Sequence, residues 1–473
     1  MRVILVNANL IRVPPIGPYA LDVLGTALED AGHDVAVCDL ARAQTHDDAL
    51  RSIDASLSAV RPDAVAVSLR NTSDLFFPSF HDAPNRGSFI QSHEEVIKRI
   101  GQQFDSQRII IGGAGFSSNP HQLLKRLGGT RGVQGPGEYA LPMLLSRLRT
   151  EAFQTDPIVI DARGDAPYPR VRRTYVDNAW YYEHGGLGCI RTSIGCPRRC
   201  AYCVEPSSSG HRIRRRSVDD IMQEIDELVC LGVYDIHTAD SEFNIPLSHA
   251  KRVLRAIADR RYPQHVRFWL YCQPVPFDRE LAELMRQAHV AGINFGTDHT
   301  DADVLRSFGK AYGQKDVART TALCNDHGIA VAHGLLFGSQ ADTIDKMFRT
   351  IDDIWHMKPR VIGALIGLAV LPHTRLARIF EQQTDPATVG YTMEQHGQPY
   401  IDPVFYVNPL FKIPDVYGWL RAHVGERIHS IMLPSPRSTN AETAQIVSSE
   451  RVARQIASGL KGAYWYHYPD LPH

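Results

Sequence analysis

The 473-residue sequence carries no charge excess: 51 Lys and Arg stand against 52 Asp and Glu, a formal net charge of −1. Proteins whose main partner is nucleic acid are usually basic, so that class is set aside. No apolar run approaches the length of a membrane span. No solenoid-type repeat and no low-complexity tract interrupts the chain. Nor are the eight cysteines spread as a disulfide framework would spread them: Cys38, Cys189, Cys230, Cys272 and Cys324 are scattered, and only the other three cluster. That usage points to a reducing compartment, the cytoplasm. The opening residues, MRVILVNANLIRVPP, alternate apolar with polar positions and run into two prolines. They predict a buried strand rather than a signal peptide. The length, with an apolar share of 44%, predicts two or three domains, each with its own core.

Strand and helix patterns alternate over residues 1–150. Strands are expected at RVILVNA (from Arg2), DVAVCDL (Asp34), AVAVSL (Ala64), RIIIGG (Arg108) and GVQ (Gly132). Helical patterns fall between them, as in ALDVLGTALEDAG from Ala20 and HEEVIKRIGQQF from His93. This predicts an α/β fold, a doubly wound, Rossmann-like parallel sheet whose ligands lie beyond the carboxyl ends of the strands. Residues 151–188 have little periodicity and are expected to form a linker. From Cys189 a second alternation begins, with strands at CIRTSIG, DIHTAD (235), VRFWLYC (266), INFGTD (293), IAVAHGLLFG (329) and VIGALIGLAVL (361). Six βα units over 189–383 predict a partial (β/α)6 TIM-type barrel, with its active face at the carboxyl ends of the strands. Residues 384–473, rich in aromatic clusters such as KGAYWYHYPDLPH, are expected to form a small α+β cap over the substrate pocket, although a plain packing role fits them equally.

The clustered thiols, Cys196, Cys200 and Cys203, form a C-x3-C-x2-C loop after the first barrel strand. Soft thiolates select zinc, copper(I) or iron–sulfur clusters. A structural zinc closes with four ligands, and no fourth Cys or His stands at motif spacing. A cubane cluster held by three thiolates leaves one iron open for a substrate or cofactor. A zinc knuckle and three unrelated thiols remain the plainer alternatives.

GCPRRCAYC resembles the signature of the radical S-adenosylmethionine (SAM) superfamily. The resemblance implies a [4Fe-4S] cluster on Cys196, Cys200 and Cys203, SAM chelated to the fourth iron, and a 5′-deoxyadenosyl radical formed by reductive cleavage. It also implies that Tyr202 lies near the adenine, that Asp240 and Asn244 (in TADSEFNIPLSHA) lie beside cluster and SAM, and that Asp298 (in GINFGTD) makes a polar contact with SAM. Gly338, in LLFGSQADT, takes the place of a commoner Gly-Pro-Gly-Glu-Thr turn, and His373 falls where the usual Pro-Gly-Thr is replaced.

The N-terminal third is similar to the cobalamin-binding domain fused to many such enzymes. The similarity implies cobalamin contacts at Pro15, Gly17, Leu69, Arg70, Asn71, Gly112, Gly113, Ala114, Gly115, Gly135, Gly137 and Glu138, with the glycines allowing close backbone approach. The Asp-x-His-x-x-Gly pattern that gives a histidine to cobalt elsewhere is absent. Cobalt would then lack a protein histidine below it, with Arg70, which cannot ligate a metal, facing the corrin. The bland alternative is that Arg70 pairs with an acid such as Asp74.

The family resemblance implies a cobalamin-dependent radical SAM methyltransferase. It would methylate an unactivated carbon of a small-molecule or natural-product intermediate, using methylcobalamin and the adenosyl radical. A non-methylating cyclisation, ring contraction or rearrangement with the same cofactors is the alternative, and a cobalamin-binding regulator with a structural metal is a third. The basic run HRIRRRS from His211 suits a solvated loop, an anionic substrate or an acidic electron donor such as flavodoxin or ferredoxin. Cys38, Cys230, Cys272 and Cys324 lie in apolar runs and are expected to be core thiols.

Overall fold

A computed structural model describes residues 1–9, 11–73, 88–150, 157–164, 168–382, 400–401, 404–411, 415–433, 438–439, 446–447 and 450–470. Asp74 lies outside these residues.

The N-terminal sheet has six parallel strands: β1 (Arg2–Asn7), β2 (Asp34–Asp39), β3 (Ala64–Ser68), β4 (Ile109–Gly112), β5 (Arg131–Gln134) and β6 (Ile158–Asp161), in spatial order β2-β1-β3-β4-β5-β6. Alternate side chains point to opposite faces. Ile4, Val6, Val65, Val67, Ile109 and Ile111 pack into one core, whereas Val3, Leu5, Ala64, Ala66, Ile110 and Val133 pack into the other. Burial on both faces explains why these strands read as continuous apolar runs. The order reverses at β1, so the crevice lies over the ends of β1 and β3, where Asn7 and Arg70 stand. β6 falls in the stretch expected as a linker, whose weak periodicity hid a short edge strand.

The second sheet has seven parallel strands: β7 (Gly188–Ile190), β8 (Asp235–Thr238), β9 (Arg267–Cys272), β10 (Val290–Asp298), β11 (Ala330–Phe337), β12 (Val361–Ile366) and β13 (Ile431–Met432), ordered consecutively from β13 to β7. Six are those expected. The seventh, two residues from the C-terminal region, extends the partial barrel at its β12 edge. Ile190, Ile236, Phe268, Leu270, Cys272, Ile293, Phe295 and Val331 point outward against the helices. The residues between them line the lumen. Cys38, Cys272 and Cys324 are buried as expected, but Cys230 is exposed. It is the last residue of helix Val218–Cys230, whose buried stripe is Ile221, Glu224, Ile225 and Leu228, so an apolar neighbourhood in sequence did not place it inside.

The linker is tied to both domains by buried charge. Arg173 lies 3.3 Å from Asp22 on the N-terminal domain and 3.0 Å from Glu224 on the barrel. Arg216 reaches Glu224 at 2.7 Å. All four side chains are almost fully enclosed.

His333 on β11 is also enclosed, its ring nitrogens 2.7 Å from Thr297 Oγ1 and 3.0 Å from Thr321 Oγ1. Burial pushes its pKa down to about 3. The folded chain therefore binds fewer protons than the unfolded one between the ordinary histidine value of about 6.5 and about 3. Stability falls as pH drops through that window, by about 1.4 kcal/mol per pH unit from this group. His333→Gln is expected to flatten the fall, which urea titrations at pH 7 and pH 5 measure.

Candidate active site

The cysteine loop leaves β7 over the carboxyl end of the barrel. Gly195 precedes it with φ +100°, and a Cβ there would come within 2.1 Å of the Arg212 carbonyl, so only glycine fits. Cys196 N–H donates to the Gly210 carbonyl at 3.0 Å, and Ala201 N–H donates to the Phe308 carbonyl at 2.9 Å. Leu376 N–H in turn donates to the Ala201 carbonyl at 2.8 Å. This last bond comes from the segment where the sequence departs from the usual pattern at His373, which is exposed.

Burial pushes the Cys196 thiol up to about 11 and the Cys203 thiol up to about 12, and raises Cys200; Cys200 adds to the effect on both others, and Cys196 to that on Cys203. Iron must therefore displace protons on binding. Among the described residues no three His, Cys, Asp or Glu side chains converge on one ion position. Three soft thiol donors on one loop fit a cluster that keeps a fourth iron open. His211 is exposed.

The acids assigned from sequence do different work. Asp240 Oδ1 accepts from Thr192 N–H at 2.9 Å and Ser193 N–H at 2.5 Å, and both hydroxyls also donate to its carboxylate. It holds the start of the cysteine loop. Asn244 Nδ2 donates to the carbonyls of Gln273 and Pro276, while its Oδ1 accepts from Gln273 N–H. That closes the turn after β9. Asp298 ends β10 with φ +63°, a left-handed conformation for a residue with a side chain. Its Oδ2 accepts from Tyr202 Oη at 2.5 Å and lies 3.0 Å from Lys310 Nζ. The aromatic position inside the cysteine loop is thereby tied to the end of β10. Gly338 has φ +88°; its N–H donates to Asp342 Oδ2 at 2.8 Å.

Two charged groups here escaped sequence reasoning. Burial disfavours the Lys310 ammonium, but Asp298, Tyr202, Tyr312 and Cys200 together outweigh this and hold its pKa up. Burial pushes Glu242 up to about 7, although Lys310 pulls the other way. Glu242 sits between Asp240 and Asn244, so its place in TADSEFN was the available signal; Lys310 had none.

At the N-terminal sheet, the glycine-rich turn packs on its own chain. A Cβ on Gly113 (φ +101°) would lie 2.4 Å from the Leu69 carbonyl, and one on Gly115 3.0 Å from the Arg70 and Asn71 backbone. The Ala114 carbonyl accepts from Ser208 Oγ at 3.2 Å. Gly112, Gly135 and Gly137 likewise face Val133, Arg163 and Leu24, and Gly17, just after Pro15, faces Tyr181. These glycines hold the strand-end loops close together. Glu138 is buried, and its Oε1 has no hydrogen-bond partner. An orphaned acceptor at the carboxyl edge of this sheet suits the amide-rich rim of a corrin. Arg70 touches solvent, yet burial among protein atoms lowers its pKa, and it is coupled to Cys189 and Tyr271 on the barrel. That combination marks a side chain lining an interior cleft. The cluster loop and this edge adjoin: Gln134 Nε2 lies 3.4 Å from the Ser207 carbonyl.

The basic run divides. Arg216 is buried on Glu224, and Arg214–Arg215 pair with Ser193–Ile194 beneath the loop. His211, Arg212 and Arg215 remain exposed.

Residues 190–354 match the Radical SAM superfamily and residues 12–145 match the B12 binding domain. The tryptophan 2-C-methyltransferase of Streptomyces laurentii is 31% identical over 459 residues, spanning 81% of this chain and 75% of that protein. The hopanoid C-3 methylase of Methylococcus capsulatus is 24% identical over 341 residues, 69% of this chain and 61% of that protein. Among solved structures, the radical SAM methyltransferase TsrM from Kitasatospora setae, with cobalamin and a [4Fe-4S] cluster bound, superposes with a TM-score of 0.85 at 30% identity, covering 99% of this chain and 97% of that one. Its form with tryptophan substrate and the SAM analogue aza-SAM gives 0.83.

Proposed function

Since the chain belongs to the cobalamin-dependent radical SAM methyltransferases, we propose that its methyl acceptor is tryptophan or a close indole relative, modified at a ring carbon. The near whole-length likeness to a tryptophan-bound relative is the observation that carries this reading. When bound, the cluster, SAM and cobalamin supply the methyl group and the redox chemistry that moves it. The chain's own part is placement. Cys196, Cys200 and Cys203 hold the cluster, and Asp240 fixes the loop that carries them. Asp298, Lys310 and Tyr202 form a polar wall that would stand beside it, and Arg70, Asn71 and Glu138 would contact cobalamin. An indole ring carbon is electron-rich, unlike the unactivated carbon expected from the sequence, so acceptor activation demands less.

The exposed Arg212 and Arg215, beside the cysteine loop, suit an acidic donor such as flavodoxin, whose docking would weaken with salt. The eight free thiols support a cytoplasmic setting. Residues 384–473 are proposed to cap the substrate pocket.

Anaerobic reconstitution with iron, sulfide, cobalamin and SAM, followed by mass spectrometry, tests the reading. Methylated tryptophan with one S-adenosylhomocysteine per turnover is expected. SAM consumption with an unmethylated, rearranged product would overturn it.

A further inference from the structure

The barrel lumen is asymmetric in a way the assigned cofactors do not use. Register places Cys189 beside His237, Tyr271 beside Asn294, and Gly334 beside Gly363. These positions alternate with the outward-facing core residues, so they face inward. On β8 and β9 the wall is polar and aromatic, and the His237 and Tyr271 rings meet edge to face at 4.8 Å. On β11 and β12 it is bare. A Cβ on Gly334 would meet nothing closer than 3.6 Å, and one on Gly363 nothing closer than 3.8 Å.

The far end is shut by the chain's own C-terminal segment. Trp465 is buried against Trp269, ring centroids 5.7 Å apart, and against Gly292, where a Cβ would come within 2.6 Å of the indole. Arg267 Nη2 anchors the segment through the Lys461 carbonyl at 3.2 Å, and Arg360 Nε through the Tyr466 carbonyl at 2.9 Å. Tyr464, in the same turn, is 42% exposed, and Tyr271 is 41% exposed. Burial nevertheless raises both phenol pKa values, and each is coupled to the other end of this space, Tyr464 to Tyr271 and Tyr271 to Arg70. Both rings thus keep accessible surface while protein groups crowd their hydroxyls. His237 Nε2 has no protein partner, and burial pushes its pKa down to about 4, so it is neutral at pH 7. A buried polar nitrogen left unpaired is costly, and a ligand that supplies a hydrogen bond removes the cost.

We infer that the acceptor's ring is held in this lumen, between His237, Tyr271 and Tyr464 on one side and the glycine wall of Gly334 and Gly363 on the other, so that the C-terminal segment sets which planar aromatic fits. The inference rests on the proposed indole acceptor. With the imidazole proton on Nδ1, His237 Nε2 accepts the ring N–H. Aromatic edges favour a flat ring over an aliphatic chain of equal volume.

The test uses the reconstituted holoenzyme with tryptophan and indole as probes, measuring both dissociation constants by equilibrium dialysis and KM and kcat by product formation. Gly363→Leu fills the bare wall and is expected to raise KM about 10- to 200-fold, the span of a misplaced apolar group in a pocket. Tyr464→Ala is expected to raise KM, with Tyr464→Phe restoring it. His237→Leu is expected to weaken tryptophan more than its 1-methyl derivative, which has no ring N–H. Cluster absorbance and bound cobalamin stay at wild-type levels in each variant. Unchanged KM and dissociation constants in Gly363→Leu and Tyr464→Ala overturn the inference while tryptophan methylation stands. A wild type that binds tryptophan without methylating it overturns the proposed function and leaves the lumen site supported. Failure of the wild type to bind either probe overturns both.

Discussion

Cys200→Ala is expected to yield a folded chain that lacks the cluster's visible absorbance and neither cleaves SAM nor methylates. The three thiolates are the proposed protein ligands of the cluster, and neither other candidate stands ready to replace one: His211 is exposed, and Cys189 lies on β7 beside His237. Substituting groups that merely support metal ligands typically costs 10- to 100-fold in affinity or activity, so loss of a ligand itself should exceed about 100-fold. Iron content and the visible cluster spectrum measure the first effect, and SAM-derived products the second. Retention of a full cluster spectrum in Cys200→Ala would sink the ligand assignment. The loop's backbone anchors at Gly210, Phe308 and Leu376 do not involve the Cys200 side chain, so the fold should survive.

Glu224→Ala should have the largest effect on stability. Glu224 is fully buried between two guanidiniums, 3.0 Å from Arg173 and 2.7 Å from Arg216. Among the described residues, Asp22 is the other carboxylate paired with Arg173, at 3.3 Å. Removing one partner from a buried pair strands the opposing charge and costs about 3–5 kcal/mol. Asp303→Ala is the control: its pair with Arg306 is largely exposed, and such pairs contribute about 0–1 kcal/mol. Urea unfolding compares the two. If Glu224→Ala costs no more than Asp303→Ala, the buried cluster is not what ties the linker and the two domains together.

Much of this was legible in the sequence. Strands buried on both faces of a parallel sheet appear as unbroken apolar runs, which is why both sheets and nearly all their strands were visible. The edge strands β6 and β13 were not, because two- to four-residue edges carry too little pattern. Cys196, Cys200 and Cys203 were plain as a cluster of thiols because one loop holds all three. Asp240, Asn244 and Asp298 could be singled out by motif, but not their partners: hydrogen bonds across 29 to 96 residues of chain decide whether a polar side chain faces a ligand or ties a loop.

The sequence by itself therefore determined the two α/β domains, the three-thiolate loop and the cofactor class, since each rests on local spacing or period. Tertiary structure alone decided which glycines brace loops and which leave space, why Arg216 is buried while Arg215 is not, and that the C-terminal aromatics close the barrel beneath Tyr271. These depend on contacts between elements far apart in the chain, and periodicity reports which face of an element is buried without naming what lies against it.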